Sequence, residues 1–222
     1  SIHGDWPSPL APASAWKGVG RFCHLVRDGE SSLHPNYAGL LGCSMKLRPF
    51  MKILVTGATG HLGRDFVRAA AARGHALRLL SRRPAPADSP LPWVTGDLNT
   101  GVGLSAAVEG VEAVLHAASD PHNAASADVE GTHRLARAAR NVGVAHFVLV
   151  SIVGIDRIPL GYYRHKLAAE RRLADSGVPY SILRASQFHY FVDLQLRQLA
   201  RIPLLLPIPA GFRLQSIGTA DV

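Results

Sequence analysis

A tyrosine and a lysine four residues apart, Tyr162-x-x-x-Lys166, are the residues of this 222-residue chain best suited to proton chemistry. On a helix that spacing puts both side chains on one face. An ammonium beside a phenol lowers the phenol's pKa from about 10, so that it exchanges a proton with a carbonyl or hydroxyl oxygen. Tyr163, three residues from Lys166, is a register alternative. A surface Tyr–Lys pair at coincidental spacing is the bland one.

A second constellation handles phosphate. Thr56-Gly57-Ala58-Thr59-Gly60-His61-Leu62-Gly63 follows an apolar run and opens a helical pattern, the context in which a glycine motif is informative. Gly57 permits a tight turn, Gly60 lets backbone approach a pyrophosphate, and Gly63 allows close helix–strand packing. His61 reads as a packing or phosphate-rim residue, not as an acid. Some twenty residues further on, an NAD site places a carboxylate. This chain offers Ser81-Arg82-Arg83 instead, with guanidinium groups suited to a 2′-phosphate. The reading favours NADP(H) over NAD(H).

These residues need a scaffold, and the pattern supplies one from Met51 onward. Lys52–Thr56 is a short apolar run bounded by glycine, as a buried parallel strand should be. Leu62, Phe66 and Ala70 recur at helical spacing, and Gly74 stops that helix. Strands are expected at 76–81, 93–95, 113–117, 144–151 and 179–183. Helices are expected at about 103–109, 124–141, 162–176 and 191–200. Strands alternating with helices imply right-handed βαβ units and a parallel sheet covered on both faces. The expected class is therefore α/β: a doubly wound, Rossmann-type sheet of six strands with helices on both faces, over residues 51–222.

Residues 1–50 differ. They hold both cysteines and two of the three tryptophans among many Pro, Gly and Ser, without a sustained period. They read as an irregular or disordered N-terminal extension, with a partner-binding arm as the alternative. A Cys23–Cys43 pairing is open, though nothing else suggests an oxidising compartment. The chain opens on Ser1 and stops at Val222, so it reads as a fragment, truncated at its C-terminus.

Composition narrows the classes. Hydrophobic content of 47% with 18% charged residues excludes a mainly disordered chain. No apolar run approaches the roughly 18 residues of a membrane span. The net charge of +8 comes from scattered arginines, with only Lys17, Lys46, Lys52 and Lys166 as lysines, and gives no nucleic-acid footprint. The eleven histidines show no zinc pattern, so no metal is expected. Gly-x-Ser-x-Gly and Walker signatures are missing, which disfavours a hydrolase and an ATP site. A soluble, cytoplasmic protein is expected, acting on a small molecule, with room for a homodimer.

Together these motifs resemble the short-chain dehydrogenase/reductase superfamily, and within it the atypical, NmrA-like NAD(P)H-binding branch. Gly96-Asp97-Leu98 matches the segment whose Asp contacts adenine in that family. His116-Ala117-Ala118 matches the small-residue segment that passes the cofactor. Asp128–Thr132 matches the opening of its central helix, and Ser181–Arg184 the strand leading to the substrate loop. The resemblance implies that Tyr162 is the acid, and that Lys166 tunes it and anchors the nicotinamide ribose. It makes Ser151, at a strand end, a helper that polarises substrate oxygen, or else a structural serine. Asp128 stands where some relatives carry an asparagine, and Ile152 follows where many carry a second serine. The apolar segment Gln187–Phe191 and the run 202–209 match the region that closes over substrate, and suggest a hydrophobic or quinone-like one.

The activity implied is hydride transfer between NADP(H) and a small carbonyl, enone or quinone. The alternatives are a non-catalytic, redox-sensing regulator that signals occupancy to a protein partner, and a nucleotide-sugar epimerase or dehydratase, against which Arg82 and Arg83 argue.

Overall fold

The computed structural model describes residues 23–27, 50–201 and 215–222. The strands are β1 (Cys23–Arg27), β2 (Lys52–Thr56), β3 (Ala76–Ser81), β4 (Trp93–Thr95), β5 (Ala113–His116), β6 (His146–Ile152) and β7 (Tyr180–Ala185). The helices are α1 (His61–Ala72), α2 (Leu104–Val108), α3 (Gly131–Asn141), α4 (Gly161–Ala174) and α5 (His189–Leu199). The sheet runs β1-β7-β6-β5-β2-β3-β4. Pairing from β4 through to β7 is parallel throughout, and β1 lies antiparallel on β7 with Cys23 opposite Ala185.

Six parallel strands in this order form a Rossmann-type α/β sheet, as the sequence leads one to expect. Successive residues of β2 show why it forms. Leu54 joins one core with Val114, Phe147, Leu149 and the apolar sides of α2, α3 and α4, including Leu135 and Leu173. Its neighbours Ile53 and Val55 join another, with Leu77, Leu79 and Ala70 of α1. A strand with period two that is apolar on both faces can be buried only between two helical layers. Phe147 is fully buried at the centre, and its burial alone stabilises the fold by about 2–3 kcal/mol.

Chain order reverses between β2 and β5. From β2 the chain steps outward to β3 and β4, then returns to β5 and continues to β6 and β7 on the other side. The loops leaving β2 and β5 therefore diverge and leave a crevice at the carboxyl ends of the strands.

Two differences from expectation bear on the site. Residues 124–141 are not one regular helix: Ala125–Glu130 form a π-helical stretch that passes into α3. Such wide turns redirect side chains, and here Asp128 turns inward to 1% exposure. The second is the seventh strand, β1, which lies within the segment read as irregular. The run 202–209 and Cys43 fall outside the described residues.

Candidate functional site

The crevice at the switch point is a cleft of about 430 Å3. Its floor is the turn after β2. Gly57 has φ +73°, and a Cβ there would lie 2.7 Å from the backbone of Ala117 and Ala118. A Cβ on Gly63 would strike the Gly57 carbonyl and come within 2.8 Å of Ala58 Cα. These two glycines let the β2 turn, α1 and the β5 loop meet backbone to backbone. Gly60 caps α1 without a side-chain hydrogen bond, and the first helical turn carries no acid. The amides at that end remain open to an anion.

Most of the residues read as cofactor contacts meet in this cleft. Gly57, Thr59 and Gly60 line its floor, and Ala117 and Ala118 line its wall. Ser81, Arg82 and Arg83 line one end, where Ser81 Oγ accepts from Arg83 N at 3.0 Å and holds the arginine loop in its turn. Asp97 and Leu98 lie beside them. Asp97 Oδ1 accepts from Asn99 N at 2.9 Å, which fixes its carboxylate.

Five others lie outside the lining. Gly63 acts through packing, as above. His61 stacks on Tyr190, with ring centroids 4.1 Å apart. Leu62 lines a separate groove of about 1080 Å3 between α1 and the sheet. His116 is buried, with Nδ1 2.6 Å from Thr56 Oγ1 and Nε2 3.0 Å from Thr132 Oγ1. Burial, reinforced by the Lys166 charge, lowers its pKa to about 3. It is a neutral tie between β2, β5 and α3, and both ring nitrogens are occupied. Lys166 is the fifth.

Lys166 Nζ donates to the Val150 carbonyl at 3.0 Å and lies 3.6 Å from Asp128 Oδ1. Burial lowers its pKa, and Asp128 opposes the shift. Tyr162 does lie on the same helix, α4, one turn earlier. Its phenol, however, meets Ser119 Oγ at 2.6 Å. The expected lowering of the Tyr162 pKa is corrected by the structure: it is pushed up to about 12, first by burial and then by the nearby Asp128 charge. The ammonium is spent on Val150 and Asp128.

Ser151 is 3% exposed, and its Oγ has no hydrogen-bond partner among the described residues. The hydroxyl beside the phenol is Ser119, which also lines the cleft. Ser119 Oγ donates to Asp128 Oδ1 at 2.6 Å, and Asp120 N donates to Asp128 Oδ2 at 3.0 Å. Ser119 follows Ala118 directly, and a polar residue at the end of a switch-point strand was its only signal in the sequence.

The C-terminal segment closes on the same place. Gln187 Nε2 donates to Tyr163 Oη at 2.6 Å, and Phe188 stacks on Tyr190 at 5.7 Å. Arg184 of β7 forks onto Glu170 of α4, at 3.0 and 2.6 Å. Phe191 and Leu194 of α5 are exposed beside Tyr190.

The model of the NAD(P)H-binding family matches residues 57–191, more than half of the chain. This chain belongs to that family. The match begins at Gly57, in the turn that floors the cleft. Among curated proteins, the chain is 34% identical over 188 residues to the protein High chlorophyll fluorescence phenotype 244, chloroplastic, of Arabidopsis thaliana, covering 81% of this chain and 47% of that protein. Other matched relatives are named as photosystem II assembly factors and as a 3-beta-hydroxysteroid dehydrogenase. The chain spans about half the length of the curated relatives it matches most significantly.

Solved structures place it in the short-chain dehydrogenase/reductase superfamily. One, from Agrobacterium tumefaciens with bound NAD, is 31% identical with a TM-score of 0.54, covering 62% of this chain and 50% of that one. Another is the NADPH-dependent quinone oxidoreductase of Escherichia coli complexed with NADPH, 26% identical with a TM-score of 0.56, covering 66% and 54%.

Proposed function

We propose that this protein is an NADP(H)-dependent oxidoreductase acting on a small, largely apolar carbonyl, enone or quinone. The observation that carries the reading is the convergence, at one switch point, of a bare glycine turn, two arginines and the phenol of Tyr162. The residues fit a dinucleotide: Gly57 and Gly60 line the cleft floor as bare backbone, and the start of α1 has no side-chain cap on its amides. Arg82 and Arg83 stand at the end of the cleft where a 2′-phosphate would be paired. Bound there, the dinucleotide supplies or accepts hydride.

The chain's own residues would do the rest. Tyr162 would hold the substrate oxygen and exchange its proton. Asp97 would meet the adenosine end. Tyr190, Phe191 and Leu194 would offer an apolar wall to the substrate, which agrees with the quinone named for the Escherichia coli protein. The proposed setting is the cytoplasm, although one relative is named as chloroplastic.

A second reading has an observation of its own. With Lys166 turned to Val150 and Tyr162 raised to about 12, the site also suits a dinucleotide binder that signals occupancy without turnover. Titration calorimetry with NADPH and NADH, followed by a carbonyl and quinone screen, separates the two. The oxidoreductase reading expects tighter NADPH binding, and turnover that Tyr162→Phe abolishes while NADPH affinity is retained. Turnover unchanged in Tyr162→Phe overturns the role of Tyr162. Binding without turnover of any substrate favours the signalling reading.

A further inference from the structure

We propose that Ser119 is the hydroxyl through which Tyr162 passes its proton, with the Asp128 carboxylate as the far end of the relay. The inference rests on the oxidoreductase reading and assigns a role that the motifs give to Ser151.

Hydrogen-bond direction carries it. Asp128 accepts from the Asp120 amide at 3.0 Å and stands 3.6 Å from the Lys166 ammonium. A carboxylate only accepts, so the single Ser119 proton points to Asp128 Oδ1 at 2.6 Å. The Ser119 oxygen is then left to accept, and Tyr162 O–H donates to it, also at 2.6 Å. Three oxygens are thus ordered in one direction, from phenol to carboxylate. Ser151, buried without a partner, takes no part in such a chain.

The balance of a turnover follows. In the oxidation of an alcohol, an oxidised nicotinamide held in the cleft would take the C–H hydride, and the O–H proton would move to Tyr162 Oη. The phenol's own proton moves to Ser119 Oγ, and the serine's proton to Asp128 Oδ1. The substrate carbon–oxygen bond becomes a double bond, and Asp128 ends as the neutral acid. In reduction each transfer reverses. The phenol never carries a full negative charge, which suits a group whose ionisation burial resists.

The charged and titratable groups around the relay are Lys166 beside Asp128, Glu170 and His116 near Lys166, and the phenols of Tyr163 and Tyr190 near Tyr162.

The test uses Ser119→Ala, Ser119→Thr and Asp128→Asn in the full chain, with two readouts. The first needs neither dinucleotide nor substrate: fluorotyrosine is incorporated, and Tyr162, assigned through Tyr162→Phe, is titrated by fluorine NMR. With the phenol as donor, the Ser119 oxygen favours its protonated form, so loss of that acceptor in Ser119→Ala and loss of the Asp128 charge in Asp128→Asn should each move the Tyr162 ionisation down. A phenol that does not donate to Ser119 would show no fall in Ser119→Ala, and a rise if it accepted from the serine instead. The second readout is kinetic. Ser119→Ala should lower kcat on the order of 100-fold with KM and dinucleotide affinity unchanged, and Ser119→Thr should restore most of it. Asp128→Asn, which leaves no carboxylate to take the proton, should lower kcat to a similar degree. An ionisation that stays or rises in Ser119→Ala, or wild-type turnover in that variant, overturns the relay while leaving hydride transfer in place. A fall in both variants of a chain that turns nothing over would retain the coupling and remove the oxidoreductase reading.

Discussion

His116 shows how a residue in a cofactor-binding segment serves the fold instead. Its pKa in the folded chain is about 3, against 6.5 when exposed. Between these values the unfolded chain binds a proton that the native chain refuses, so stability rises with pH across this window. The contribution is fully present above pH 6.5 and is lost as pH falls toward 3. On the order of 5 kcal/mol is at stake. Urea melts at pH 7 and pH 4.5 should show the wild-type chain losing about 2 kcal/mol more than His116→Gln, which does not titrate there. Equal losses would place the acid sensitivity elsewhere. No sequence pattern announces this role. The Thr56 and Thr132 partners lie 60 and 16 residues away, and only the fold makes them neighbours.

Among the elements, the turn from β2 into α1 was the most legible part of the chain, because its chemistry is local. Each glycine answers to a contact within one strand–helix junction, or across to the β5 loop. Gly57→Ala should therefore fail twice: a φ of +73° strains alanine, and its Cβ would sit 2.7 Å from the Ala117 backbone. The expected result is a loss of about 2 kcal/mol or more of stability, with NADPH affinity reduced at least tenfold. Thermal melts and calorimetry read both, and near-wild-type binding would show that the β5 loop yields. The Tyr162–Ser119 contact was illegible for the opposite reason. It joins α4 to the loop after β5, 43 residues away, and Asp128 reaches it only because Ala125–Glu130 wind as a π-helix. Helical spacing in the sequence reads Tyr162 and Lys166 as a pair, yet the structure hands the phenol to Ser119 and the ammonium to Val150.

For the whole molecule, the alternation of apolar runs and helical periods was sufficient to place six parallel strands, since burial on both faces leaves little choice of sheet. Charge adds a property of the same scale. With a net charge of +8, and with Arg82 and Arg83 solvent-exposed at one end of the cleft, attraction for a phosphorylated ligand is felt over about 10 Å at 0.1 M salt and about 3 Å at 1 M. NADPH affinity should fall severalfold over that range, and NADH affinity by much less. Calorimetry at the two salt concentrations checks this, and equal losses would remove Arg82 and Arg83 from the recognition of the 2′-phosphate.

The pairing of β1 with β7 has a consequence at the margin of the sheet. At the opposite margin β4 is only three residues long, too short to template much. β7 is six residues long and carries Ile182 and Leu183. Cys23–Arg27 occupy its outer amides and carbonyls along five positions. A chain cut to start at Met51 would bare that row, and the molecule would lose a guard against sticking to copies of itself.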